Sequence, residues 1–195
     1  MKFLHIDLFG PVSIASIIEK KYGLVTVDYY SIWTWVIKFL KNKDESYDVF
    51  NNFCTQVQND KEVKILNVRS DHGGELKMSH LIYFFVKNME LSHEFSSLRT
   101  PQQNEVVERR NRSLQEMTCT MIYETDMANY FWGEVINTSC YVQNRIFMKP
   151  ILNKIAYELF QGRRPNISYF CQYGYTCFIL NNKVYVKKFD VKAEK

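Results

Sequence analysis

Glycine and proline are scarce, with 7 and 4 in 195 residues. Beside 46% apolar and 15% aromatic residues, that scarcity excludes a low-complexity or disordered chain. It leaves one well-cored domain with a tail as the default. No apolar run is long enough to cross a bilayer: the longest candidate, residues 22–40, is interrupted by Asp28 and Lys38 and reads as strands. The first residues lack a signal-peptide pattern. No internal repeat is present. The five cysteines (Cys54, Cys119, Cys140, Cys171 and Cys177) are odd in number, scattered and without a C-x-x-C pair, which points to a reducing compartment. None of His5, His72, His80 and His93 pairs with two cysteines at metal-finger spacing, so spacing argues against structural zinc. Charge of one sign is also in short supply. Lys plus Arg number 25 against 21 Asp plus Glu, and this excess of four permits a polyanionic partner without demanding one.

What is present is periodicity. Residues 2–9 alternate, with Leu4, Ile6 and Leu8 on one face and Phe3, His5 and Asp7 on the other, before Gly10-Pro11 breaks the run. Residues 23–29 and 32–40 are rich in Val, Ile, Thr, Tyr and Trp and predict an antiparallel hairpin. From Asp44, read as an N-cap, Tyr47, Phe50, Cys54 and Val57 form the stripe of an amphipathic helix. Residues 63–70 predict a strand that ends in a polar glycine-bearing loop, residues 78–87 a short helix, and residues 89–95 a fifth strand. Beyond Pro101 the spacing of Val107, Leu114, Met117 and Met121 is helical. Asp126 is the expected cap of a further helix carrying Trp132, Val135, Ile136 and Val142. This order predicts an α/β fold with a mixed sheet covered by helices. Trp33, Trp35 and Trp132 are expected in the core, and the lysine-rich end from Asn181 outside it.

Three acids stand where chemistry is possible: Asp7 and Asp71 at strand ends, and Glu108 on a helix just before Arg109, Arg110 and Arg112. Mg²⁺ takes hard oxygen ligands, one or two carboxylates per ion, and a pair of such ions clamps both oxygens of an in-line phosphoryl displacement. The bland alternative is that both aspartates merely end strands while Glu108 pairs with Arg112 at helical spacing.

Longer motifs weigh on that choice. His5-Ile6-Asp7-Leu8-Phe9-Gly10-Pro11, Ser70-Asp71-His72-Gly73-Gly74-Glu75 and Thr100-Pro101-Gln102-Gln103-Asn104-Glu105-Val106-Val107-Glu108-Arg109-Arg110-Asn111-Arg112 occur in order. They continue in Phe131-Trp132, Asn144-Arg145, Tyr157-Glu158-Leu159-Phe160 with Gly162, and Lys188-Phe189-Asp190. The series resembles the integrase catalytic core of copia-type retrotransposon polyproteins. The resemblance implies an RNase H-like mixed five-stranded sheet flanked by helices, over residues 1–165, with residues 166–195 as a C-terminal extension. It implies a triad of Asp7, Asp71 and Glu108, with 36 residues between the last two, holding two Mg²⁺ or Mn²⁺ ions when DNA is bound. The activity implied is metal-dependent 3′-end processing and strand transfer by a polynucleotidyl transferase. The partners implied are element and target DNA and further copies of the chain, with no membrane, and the location implied is the nucleus. Gln103, Asn104, Arg109 and Arg112 are the expected DNA contacts, whereas Arg110 falls nearer the buried stripe. Glu75 and His72 are weaker candidates beside Asp71.

The chain departs from the family pattern in places. Glu105 stands where Gly is usual. Asp28-Tyr29-Tyr30-Ser31-Ile32 replaces two acids followed by Tyr-Ser-Arg, Ile155-Ala156 replaces Thr-Pro, and Tyr173-Gly174-Tyr175 replaces Phe-Gly-Cys. The family's upstream His/Cys zinc-binding domain is not in this sequence. These departures keep two other readings open: a catalytically inactive nucleic-acid-binding remnant, and a protein–protein module without chemistry.

Overall fold

A computed structural model describes residues 3–62, 64–70, 92–95, 105–175, 179–180 and 193–194. The alternating opening segment is a strand, β1 (Phe3–Phe9). It pairs antiparallel with β2 (Tyr22–Asp28), which pairs antiparallel with β3 (Thr34–Leu40) through a register shift at Leu24/Val25. On its other edge β1 runs parallel to β4 (Asn67–Ser70), which runs parallel to β5 (Ser92–Phe95). The sheet is therefore mixed and five-stranded, in the order β3-β2-β1-β4-β5.

The expected hairpin is present with a longer turn. Asp28 Oδ2 accepts hydrogen bonds from the Ser31 backbone (2.8 Å) and hydroxyl (2.6 Å), and Ile32 takes a left-handed φ of 56°. This turn draws Ile32 and Trp33 out of the predicted strand. β4 is also shorter than the predicted 63–70, because the Ile65 amide is claimed by Gln58 Oε1 at 3.1 Å before the ladder begins.

The two faces of the sheet divide as the alternation requires. Leu4, Ile6 and Leu24, with Leu8 beside them, pack against Phe50 and Cys54 of α1 (Ser46–Lys61). Val25, Val27 and Phe9 face α2 (Glu105–Glu124) through Val107; Leu114 of α2 then packs with Trp132, Ile136 and Cys140 of α3 (Trp132–Ile146). All of β2 beyond Tyr22 is buried, as a strand covered on both faces must be.

Two expected caps are not caps. Asp44 lies inside a 3₁₀ turn, Lys43–Glu45, and Glu45 closes it by accepting the Asn42 amide at 3.0 Å. Asp126 sits in the left-handed turn after α2 (φ 49°), while α3 is entered through a second 3₁₀ turn, Asn129–Phe131. Of the tryptophans expected in the core, Trp132 is buried there and Trp35 packs half-buried against the α1-side cluster, whereas Trp33 is half-buried outside the clusters. Trp132 is 6% exposed and meets Phe39 edge-on at 5.0 Å; Trp33 stacks on Phe160 at 4.7 Å, in α4 (Ala156–Gln161). The predicted helix at 78–87, the strand residues before Ser92 and most of the lysine-rich end lie outside the described residues. No helix among the described residues is long and apolar enough to cross a membrane.

Candidate active site

Asp7 sits on the central strand, on the face covered by α2 and α3. Its two carboxylate oxygens are each held: Oδ1 accepts the Leu8 amide at 2.8 Å, and Oδ2 accepts the side-chain amide of Asn111. A carboxylate fixed by two N–H donors is pinned in direction. The strand can end abruptly behind it because Gly10 takes a φ of +115°; a Cβ there would stand 2.5 Å from the Lys21 carbonyl oxygen. That glycine lets Val12 bond back to the Lys21 carbonyl at 2.8 Å.

Glu108 is exposed, in the first turn of α2. Its neighbour Val107 is 3% exposed under Val25 and Val27 and anchors that turn on the sheet. Glu108 and Asn111 are three residues apart, so they adjoin on one helix face. Asn111 itself is 5% exposed. The structure thus joins the helix that carries Glu108 to Asp7 through the residue one turn along. The ion pair that spacing allows between Glu108 and Arg112 is absent: neither pairs with a described residue.

Asp71 lies outside the described residues, as do His72, Glu75, Gln103 and Asn104. Ser70, the residue before Asp71, stands opposite Ile6, the residue before Asp7, in the parallel β1–β4 pairing. Among the described residues no group of three or more His, Cys, Asp or Glu side chains is placed to hold a metal. The donors present nonetheless suit a hard divalent cation. Asp7 and Glu108 offer carboxylate oxygen, the Asp7 group is oriented by two donors, and Glu108 is not committed to an ion pair with any described residue.

Of the arginines that follow Glu108, Arg109 and Arg112 are exposed, whereas Arg110 is 5% exposed. Arg110 donates to the Ile32 carbonyl at 3.2 Å and lies over the Phe147 ring at 4.6 Å. Burial pushes its guanidinium down to about 10, partly offset by the nearby Cys140 thiol. It is a structural residue, tying α2 to the β2–β3 turn.

Two polar residues acquire roles that periodicity alone did not assign. Asn111 is one; its signal was its i+3 spacing from Glu108. The other is Asn144, whose amide accepts from the Thr34 N–H at 2.9 Å and donates to the Thr34 carbonyl at 2.7 Å, clamping the start of β3 to α3. Its signal was an amide recurring in step with Ile136 and Cys140. A cavity of about 490 Å³ opens between residues 10–14, α2 and α3, but its walls hold no acid or base apart from the Cys119 thiol, so the acid chemistry lies elsewhere.

No family model matches the chain. It is 30% identical over 193 residues to the retrovirus-related Pol polyprotein from transposon TNT 1-94 of Nicotiana tabacum, which covers 99% of this chain and 14% of that polyprotein. It is 25% identical over 178 residues to the Pol polyprotein from transposon RE2 of Arabidopsis thaliana, covering 91% of this chain and 12% of that one. The Ty1-DR6 Gag-Pol polyprotein of Saccharomyces cerevisiae matches at 26% over 146 residues, 74% of this chain and 8% of its own length. The chain thus spans a small part of each of these relatives. Among solved structures, a chain of the simian T-cell lymphotropic virus intasome in complex with PP2A regulatory subunit B56 gamma superposes with a TM-score of 0.60 at 11% identity. That match covers 100% of this chain and 66% of the other. At such identity the likeness is one of fold, and the fold is RNase H-like.

Proposed function

We propose, on the premise that this chain is homologous to one segment of retrotransposon Pol polyproteins, that it is an integrase catalytic core performing metal-dependent 3′-end processing and strand transfer on DNA. The observation that carries this reading is the Asn111 bond to Asp7, which docks the Glu108 helix against the central strand. Asp7, Asp71 and Glu108 are the residues assigned to hold two Mg²⁺ or Mn²⁺ ions. When bound, such ions activate the attacking oxygen and neutralise charge on the leaving one.

This chain's own side chains do the rest by position. Asn111 and the Leu8 amide hold the Asp7 carboxylate in direction. Arg109 and Arg112, exposed on the same helix as Glu108, are assigned to phosphates of the DNA backbone, together with Gln103 and Asn104, which precede the helix in sequence. Partners are element and target DNA and further copies of the chain, and the work is nuclear. The test is nicking and strand transfer on end-sequence oligonucleotides with Mg²⁺. Asp7→Asn and Glu108→Gln are each expected to abolish both reactions, and full activity in either variant would overturn the triad.

One observation favours a second reading. Glu105, in place of the family's glycine, opens α2 three residues before Glu108, and an extra negative charge at that spacing draws a cation off its proper position. A non-catalytic nucleic-acid-binding domain would follow. Under that reading DNA binding is salt-sensitive but cleavage is absent, and Glu105→Gly restores cleavage.

A further inference from the structure

The chain's positive charge is not spread evenly. Residues 141–175 hold five Lys or Arg against one acid, Glu158, an excess of four that equals the net charge of the whole chain. The same 35 residues hold eight Tyr or Phe. Neither feature belongs to the Asp7 and Glu108 site, and most of the stretch follows α3.

The structure gathers several of these residues into one surface. The Arg145 guanidinium lies 3.4 Å from the centre of the Tyr141 ring and 5.0 Å from that of Tyr157, and it is held in place by a 3.1 Å bond to the Tyr141 carbonyl. Tyr141 in turn shares a 2.5 Å hydrogen bond, hydroxyl to hydroxyl, with Tyr169. Next to Tyr157, Glu158 engages Arg164 at 3.3 Å, and the Arg164 side chain is 92% exposed. Tyr141 and Tyr169 remain 40% and 53% exposed despite these contacts. Rings locked by neighbours yet open to solvent lose little further freedom on binding.

Fixed, exposed aromatic rings interleaved with arginines fit one kind of ligand above others. A nucleic-acid strand with unpaired bases presents flat π-faces to stack on tyrosine and a line of phosphates for guanidinium groups. Duplex DNA offers only the phosphates here, since its bases are already stacked. A protein partner would have to be strongly acidic to match the charge. We propose that Tyr141, Arg145 and Tyr169, with Arg164 held by Glu158 and Arg163 next to it in sequence, form a second nucleic-acid surface that binds single-stranded DNA through residues other than those of the acid-bearing site.

The experiment is fluorescence anisotropy with a labelled oligothymidylate and a duplex of equal length, on the whole 195-residue chain in EDTA so that no metal contributes. The expected result is tighter binding of the single strand. Tyr141→Ala with Tyr169→Ala should weaken it by about tenfold or more, with the duplex affected far less. Arg163→Ser with Arg164→Ser, on an exposed loop where folding is not at stake, should flatten the plot of log K against log salt by about 0.7 for each phosphate the arginines neutralise. Arg145→Lys keeps the charge but loses the planar stack, and should fall between wild type and the tyrosine variant. Equal affinity for single strand and duplex, or a loop variant whose affinity and salt slope match wild type, would overturn the proposal.

Discussion

The side-chain amide of Asn111 donates to Oδ2 of Asp7 across 104 residues of sequence. This bond joins the helix that carries Glu108 to the middle strand of the sheet, which carries Asp7. Because Asn111 is 5% exposed, water does not replace the bond cheaply.

Removing that amide should therefore loosen Asp7 before it loosens the fold. Asn111→Ala is expected to weaken Mn²⁺ binding, followed by electron paramagnetic resonance, by about 10–100-fold, the usual effect of losing an outer partner of a metal ligand. Asn111→Asp should be worse, since it sets a second carboxylate against Asp7. Unchanged Mn²⁺ affinity in both variants would remove Asn111 from the site.

The Asn144 clamp makes a stability prediction independent of chemistry. Asn144→Ala leaves the N–H of buried Thr34 without a partner, at about 1–3 kcal/mol, and leaves its carbonyl only the weaker Cys140 thiol donor at 3.2 Å. Urea unfolding should show a loss of roughly 1–4 kcal/mol, with the denaturant slope unchanged. A loss below about 1 kcal/mol would mean that β3 finds other partners.

Thiol reactivity should divide the four described cysteines in two. Burial pushes Cys54 up to about 12 and Cys140 up to about 11, so little thiolate exists at either near neutral pH, whereas Cys119 and Cys171 are exposed. Iodoacetamide at mildly alkaline pH, read by mass spectrometry, should label Cys119 and Cys171 in the native protein. Cys54 and Cys140 should be labelled only after denaturation, and fast labelling of Cys140 would contradict the α2–α3 packing.

Glu45 supplies a pH signature. Its carboxyl is held below the ordinary 4.5, first by the Asn42 amide, against the opposing effect of burial, with Lys20 and the Lys41 amide adding to the lowering. A depressed folded value contributes stability that is present above 4.5 and is lost as pH falls through the folded value. Glu45→Gln should lower the thermal midpoint at neutral pH and flatten its dependence on pH below 4.5. An identical acid limb in wild type and variant would locate the acid sensitivity elsewhere.

Much of the fold was legible because it is written in local period. The alternation of Leu4, Ile6 and Leu8 against His5 and Asp7 announced β1 and both of its faces. The stripe of Phe50 and Cys54 announced the side α1 turns to the sheet, and the motif around Glu108 announced a helix. The places that misled were also local. Asp44 and Asp126 are good cap residues by type, but Glu45 reached the Asn42 amide first, and the chain needed a left-handed residue at 126 to leave α2.

The sequence by itself determined the core faces and the main strands and helices among the described residues. Only the tertiary structure decided that β1 pairs in parallel with β4, far along the chain, that Asn111 holds Asp7 while Arg112 pairs with no described acid, that buried Arg110 reaches the Ile32 carbonyl, and that Asn144 holds Thr34. The physical reason is range. Apolar patterning is enforced at every turn of an element by the same solvent, so it repeats and can be read. A polar side chain has a few directional bonds to make, and its partner is whichever donor or acceptor the packing of distant elements brings within about 3 Å.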